Sequence, residues 1–109
     1  MSRANGTGGH AAEVAGLWRE HLRAAFPAAL RGAEPAGIDL VLLDAAVAGC
    51  VSAWRNDGGA LDGERHRVLR ACIEDLDRVL PTLGEPEDRR YWKRLRRLAV
   101  LVSDTRPGE

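Results

Sequence analysis

The chain is predicted to fold as an all-α domain, a small antiparallel four-helix bundle. Three observations carry the prediction. Four stretches repeat apolar residues at the three- and four-residue spacing of one helix face. No stretch alternates apolar and polar residues with the period of two that a half-buried strand requires. Gly, Pro, Asn and Asp fall between the four stretches, where helices start and stop. A three-helix core with the fourth helix packed outside it, or used in a dimer, is the alternative arrangement.

The first helical segment runs from about Ala11 to Arg31, with the stripe Val14, Leu17, Trp18, Leu22, Ala25 and Phe26. Pro27 has no N–H to donate and is expected to end or kink it. A linker, Gly32 to Gly37, follows. The second segment runs from about Ile38 to Arg55 on the stripe Leu40, Leu43, Val47, Cys50, Val51 and Trp54. Asn56-Asp57-Gly58-Gly59 ends it, because Asn and Gly tolerate the left-handed conformation that closes a helix. Its opposite side is small and apolar as well: Ala45, Ala46, Gly49 and Ala53. A helix apolar nearly all round is buried on several sides. This one is therefore expected at the centre of the domain.

The third segment runs from about Asp62, an expected N-cap, to Leu80. Its stripe is Leu69, Cys72, Ile73, Leu76, Val79, Leu80 and Leu83, with Arg67, Arg70, Glu74 and Arg78 outward. The fourth runs from about Pro86 to Ser103. Proline suits a first helical position, where its missing N–H has no partner to lose, and Glu85, Glu87 and Asp88 complement the positive helix start. Tyr91, Leu95, Leu98 and Val102 form its inward stripe.

Length and composition set the frame. A chain of 109 residues, 45% hydrophobic and 29% charged, is one globular domain. Residues 1–10 and 104–109 are expected as flexible tails around a helical domain at 11–103. Sixteen basic residues balance sixteen acidic ones, so bulk charge does not drive binding to nucleic acid or anionic membrane. The two cysteines form no CxxC, which excludes a disulfide scaffold and a Cys-rich zinc module. The longest apolar run, residues 38–51, contains Asp39 and Asp44 and is shorter than the roughly 20 apolar residues of a membrane span. Met1 to Gly9 lack the apolar core of a signal peptide. A cytoplasmic protein with no membrane partner is expected. Arginine outnumbers lysine fifteen to one beside seventeen alanines. That is the mark of a G+C-rich coding bias, so the arginine excess alone does not point to phosphate.

Three constellations could carry chemistry. Arg89, Arg90, Lys93, Arg94, Arg96 and Arg97 put six cations into nine residues, interleaved with Tyr91 and Trp92. On a helix they span an arc of about 160° opposite the inward stripe. Such a face suits an anion, nucleic acid or an acidic partner. The neutral whole chain favours a solvated outer face, and Glu87 and Asp88 stand near enough to neutralise some of it. The second constellation is His21, at the centre of the first stripe, and Asp44, on an apolar face of the second. Antiparallel packing about a loop near residue 32 puts them opposite one another. A buried imidazole needs a partner, so a His21–Asp44 pair is expected. With no nucleophile beside it, it is expected to fix helix register and not to catalyse. The third is Cys50 and Cys72, both on inward stripes and expected to act as small core hydrophobes.

His10, His21 and His66 have no metal-ligand spacing, and no P-loop, GxGxxG or GxSxG occurs. No metal, cofactor or catalytic residue is expected. Apolar residues left over near Trp92, Val100 and Leu101, and the small ridge of Ala45, Gly49 and Ala53, suit a second helix. The alternative for the last turn is packing under the N-terminal segment. The expected function is a non-enzymatic helical interaction module, a homodimer or a subunit that binds another protein. A small nucleic-acid-binding regulator using the basic face, and a ligand or enzymatic site near His21 and Asp44, are the competing expectations.

Overall fold

A computed structural model of the protein describes residues 4–104. Four helices pack against one another: α1 (Ala4–Arg23), α2 (Leu40–Asn56), α3 (Gly63–Val79) and α4 (Pro86–Ser103). Short 3-10 turns lie at Ala28–Leu30, Pro35–Gly37 and Leu80–Thr82, and no strand occurs among the described residues. The molecule is a small four-helix bundle.

α1 departs most from the sequence pattern. It begins at Ala4, so residues 4–10, expected as part of a tail, belong to the helix. Residues 105–109 of the expected C-terminal tail, and residues 1–3, lie outside the described part. α1 also stops at Arg23 and not near Arg31. The cause is Pro27, whose ring clashes with the carbonyl four residues back, that of Arg23, and disfavours helical backbone just before it. The Ala24 N–H closes the last turn on the carbonyls of Glu20 and His21. Leu22, placed on the inward stripe by the pattern, is 65% exposed. Ala25 is exposed too, whereas Phe26 packs against the core from the loop.

The other ends follow local rules. Asp39 caps α2 by accepting from the Leu42 N–H at 3.1 Å, so the helix starts two residues after Ile38. Its far end closes through Gly58 and Gly59, both at positive φ. The Gly59 N–H reaches the Trp54 carbonyl at 2.8 Å, and the positive φ of Gly59, with the Trp54 ring only in ordinary contact beside it, is what favours glycine there. Asp62 caps α3, accepting from the Arg65 N–H at 2.7 Å. α4 spans the predicted residues, with Pro86 in its first turn.

The centre of the bundle is α4, which packs on α1, α2 and α3. This corrects the expectation that α2 is central. Beyond its inward stripe α4 also buries Trp92, Ala99 and Leu101. α2 keeps one whole side in solvent. α1 runs antiparallel to α4: Glu13 meets Arg97, and His10 meets Asp104. α3 is antiparallel to α4 as well, with Asp77 on Arg96 and the His66 ring donating from Nε2 to the Ser103 carbonyl at 2.8 Å. The N-terminal part of α1 therefore lies by the last turns of α4, where Leu101 and Val102 are buried.

Candidate functional site

Where α1 ends, three helices contribute one polar group each to a mostly apolar interior. His21 sits on the last turn of α1, Asp44 on the second turn of α2 and Tyr91 on the second turn of α4. His21 Nε2 donates to one Asp44 oxygen at 3.0 Å, and the Tyr91 hydroxyl donates to the other at 2.7 Å. The His21 and Tyr91 side chains are buried, while that of Asp44 keeps 18% of its surface. A carboxylate with one side-chain donor on each oxygen has about half of its lone-pair capacity filled without water. Aromatic rings wall the cluster. Trp18 stacks near His21, and Phe26 stands edge-on to Tyr91 and Trp92 at ring-centre distances of 5.9 and 5.8 Å. Burial, and then the Asp44 carboxylate it bonds, pushes the Tyr91 hydroxyl pKa up, so it stays protonated and donating.

The structure thus brings the expected pair together and adds Tyr91, which the sequence pattern assigns only to the apolar stripe. The signal for it was the residue type, because a buried tyrosine hydroxyl nearly always finds a partner. As chemistry, the cluster is a clamp. His21 Nδ1 is buried with no hydrogen-bond partner. A general base needs its free nitrogen within reach of a substrate proton.

The six cations of α4 divide into two groups. Arg96 bonds Asp77 at 2.7 Å, and Arg97 forks onto Glu13 at 3.0 and 3.1 Å, holding the Glu13 carboxyl below the usual carboxylate range. Arg89 donates to the carbonyls of Leu83 and Gly84 and so staples the α3–α4 connection. Arg90 and Lys93 are exposed, and Arg94 is half-buried with its guanidinium 5.4 Å over the Tyr91 ring. No ion pair among the described residues involves Arg90, Lys93 or Arg94. Glu87 and Asp88 line a groove with Arg90 and Arg94 but form no ion pair with them; the ion pairs of this face are with Asp77 and Glu13, on other helices. Asp88 has Tyr91 and Trp92 at its i+3 and i+4 neighbours, so it meets no cation there.

Cys50 and Cys72 are buried free thiols. Burial raises both pKa values, that of Cys72 to about 11, and Cys50 points its sulfur at the Arg65 carbonyl, 3.6 Å away. Neither has the thiolate character of a reactive cysteine. Among the described residues, no three His, Cys, Asp or Glu side chains gather as metal ligands, and no helix is long and apolar enough to cross a membrane.

Fold and site define a class: a small four-helix bundle clamped by a His–Asp–Tyr cluster, with the exposed cations of α4 beside it. Comparisons with protein-family models, with curated proteins and with solved structures returned no match to this chain.

Proposed function

We propose that the protein is a non-enzymatic helical interaction module that self-associates through the outer face of α2. One observation carries the proposal. Between Val41 and Ala53 the only charged residue is Asp44, and it turns inward to His21 and Tyr91. The solvent side of α2 is left with Val41, Leu42, Ala45, Gly49 and Ser52, of which Val41 is 40% and Leu42 66% exposed. The outer sides of α3 and α4 are charged by contrast, with Arg67, Arg70, Glu74 and Arg78 on one and Arg90, Lys93 and Arg97 on the other.

A second copy is the partner this face fits. A two-fold contact sets the same patch against itself. Self-pairing of the α4 face would bring like charges together, whereas self-pairing of the α2 face would not. A Cβ at Gly49 would meet nothing within 4 Å in the chain, so the fold itself does not require a glycine in this helix interior. Glycine there costs about 1 kcal/mol against alanine, and it lets a second helix backbone come close. α2 has 17 residues and is about 25 Å long. One such face gives a small interface, of the weak and concentration-dependent class.

Sedimentation velocity over a concentration series tests this. A monomer–dimer equilibrium is expected for the native chain, and a monomer for Leu42→Glu, whose fold is retained because Leu42 contributes little to the core. A native chain that stays monomeric into the millimolar range would refute self-association. The engagement of Arg89, Arg96 and Arg97 within the chain supports this function over nucleic-acid binding, because it leaves fewer cations for phosphate contacts. The sealed Nδ1 of His21 supports it over an enzymatic site at the His21–Asp44 pair.

A further inference from the structure

Independently of the α2 face, we infer that the cleft between α1 and the start of α4 binds a small organic anion, a carboxylate or phosphate carried on an apolar body. The cleft is an open groove of about 530 Å³, lined by Leu17 and Glu20 of α1 and by Pro86, Arg90, Lys93 and Arg94 of α4, beside Arg89. That volume lies in the range of small-molecule sites, about 300–1,000 Å³.

Charge is the first reason. Arg65, Arg78, Arg96 and Arg97 each hold a carboxylate of this chain. Arg90, Lys93 and Arg94 hold none, and all three face one cleft whose only carboxylate is that of Glu20. The zero net charge of the chain conceals this imbalance, because most of the acids sit elsewhere, and Glu87 and Asp88, which line the adjoining groove with Arg90 and Arg94, form no ion pair with them. Three unneutralised cations along one wall focus positive potential in the concavity.

The second reason is the state of Arg94. Its Nε is buried and has no hydrogen-bond acceptor. Its guanidinium lies over the Tyr91 ring, and Tyr91 is itself held by Asp44, which is held by His21. The guanidinium is thus oriented in advance by the buried clamp, and its outer Nη groups, which no acceptor of the chain engages, are the donors an arriving oxyanion would meet. Preorientation lowers the cost of ordering on binding, and a guanidinium takes a planar or tetrahedral oxyanion through two parallel bonds. The third reason is the apolar wall of Leu17 and Pro86, which inorganic phosphate alone would leave uncovered.

The test uses phenyl phosphate, benzoate and inorganic phosphate at fixed ionic strength, with two readouts. One is the Arg94 Nε–H resonance in a nitrogen-correlated NMR spectrum. The other is protection of Lys93, the only lysine in the chain, from acetylation. Phenyl phosphate or benzoate is expected to shift the Arg94 resonance, to protect Lys93, and to bind at least about tenfold more tightly than inorganic phosphate, because the ring covers apolar surface. Arg94→Gln is expected to weaken binding about tenfold or more, and Arg78→Gln, a paired cation on another helix, to leave it unchanged. Three results would overturn the inference: no shift and no protection with any probe, equal binding of inorganic phosphate and the aromatic anions, or equal losses from Arg94→Gln and Arg78→Gln, which would mark a bulk charge effect. Because the outer face of α2 takes no part, the monomer variant Leu42→Glu should bind the same probes equally well.

Discussion

Tyr91 is the only tyrosine in the chain, and it is buried with its hydroxyl bonded to a carboxylate. Its ionisation can therefore be followed by ultraviolet absorbance without interference from a second site. The folded-state pKa lies above the ordinary value of 10.0, chiefly through burial. The proton is thus held more tightly in the folded than in the unfolded chain. The corresponding stability is fully present below about pH 10 and is lost as pH rises beyond it, where the unfolded chain ionises first. The native protein is expected to show no tyrosinate signal at a pH where free tyrosine ionises, and to show it on unfolding. Tyr91→Phe should remove this part of the alkaline slope and cost about 1 kcal/mol near neutral pH. Asp44→Ala should cost more, about 2–4 kcal/mol by urea denaturation, because it leaves two buried donors without an acceptor. At Cys72, burial raises the thiol pKa to about 11. Alkylation at neutral pH should therefore be slow in the native protein and fast in denaturant.

Helices two to four keep most of the residues their patterns assign, because caps, prolines and glycines act within a few positions. α1 does not, because apolar spacing continues through Phe26 and Leu30 although the backbone has left the helix at Arg23. Both residues reach the core from a loop, and periodicity cannot distinguish a loop anchor from a helical stripe. The exposed and buried sides of α2 and α3 give a direct comparison. Leu76 is fully buried and Leu42 is 66% exposed. Leu76→Ala should destabilise the fold by about 2–5 kcal/mol. Leu42→Ala should change it by less than about 0.5 kcal/mol when measured on the monomer. A large loss at Leu42 in dilute protein would show that the outer face of α2 is already packed within one chain.

In the whole molecule, α1 reaches α4 across more than eighty positions of sequence, as in the Arg97–Glu13 pair. The His–Asp–Tyr clamp ties that outer helix to α2 and α4 at its other end. If two chains pair through α2, folding and association are linked and the unfolding temperature depends on concentration. The native protein is expected to melt at a higher temperature as its concentration increases. Leu42→Glu should melt at one temperature throughout. Differential scanning calorimetry over a concentration series makes the comparison.

By itself the sequence determined what depends on neighbours along the chain. The helical class, the cap at Asp62, the helix start at Pro86, and the inward stripes of α2 and α4 all follow from residue spacing and local hydrogen bonding. His21 and Asp44 were legible as a pair because each is a polar group on an apolar stripe, where it needs a partner. Only the tertiary structure decided how the helices share the core. Each amphipathic face requires some cover, but several partners would serve, and spacing does not choose among them. Assembly put α4 at the centre, left one side of α2 in water, and placed Tyr91 where it completes the Asp44 cluster. It also matched Arg96 and Arg97 with acids on α3 and α1 while leaving Arg90, Lys93 and Arg94 without one. Ion pairing depends on distances between helices, and a sum of charges along the chain contains no distances.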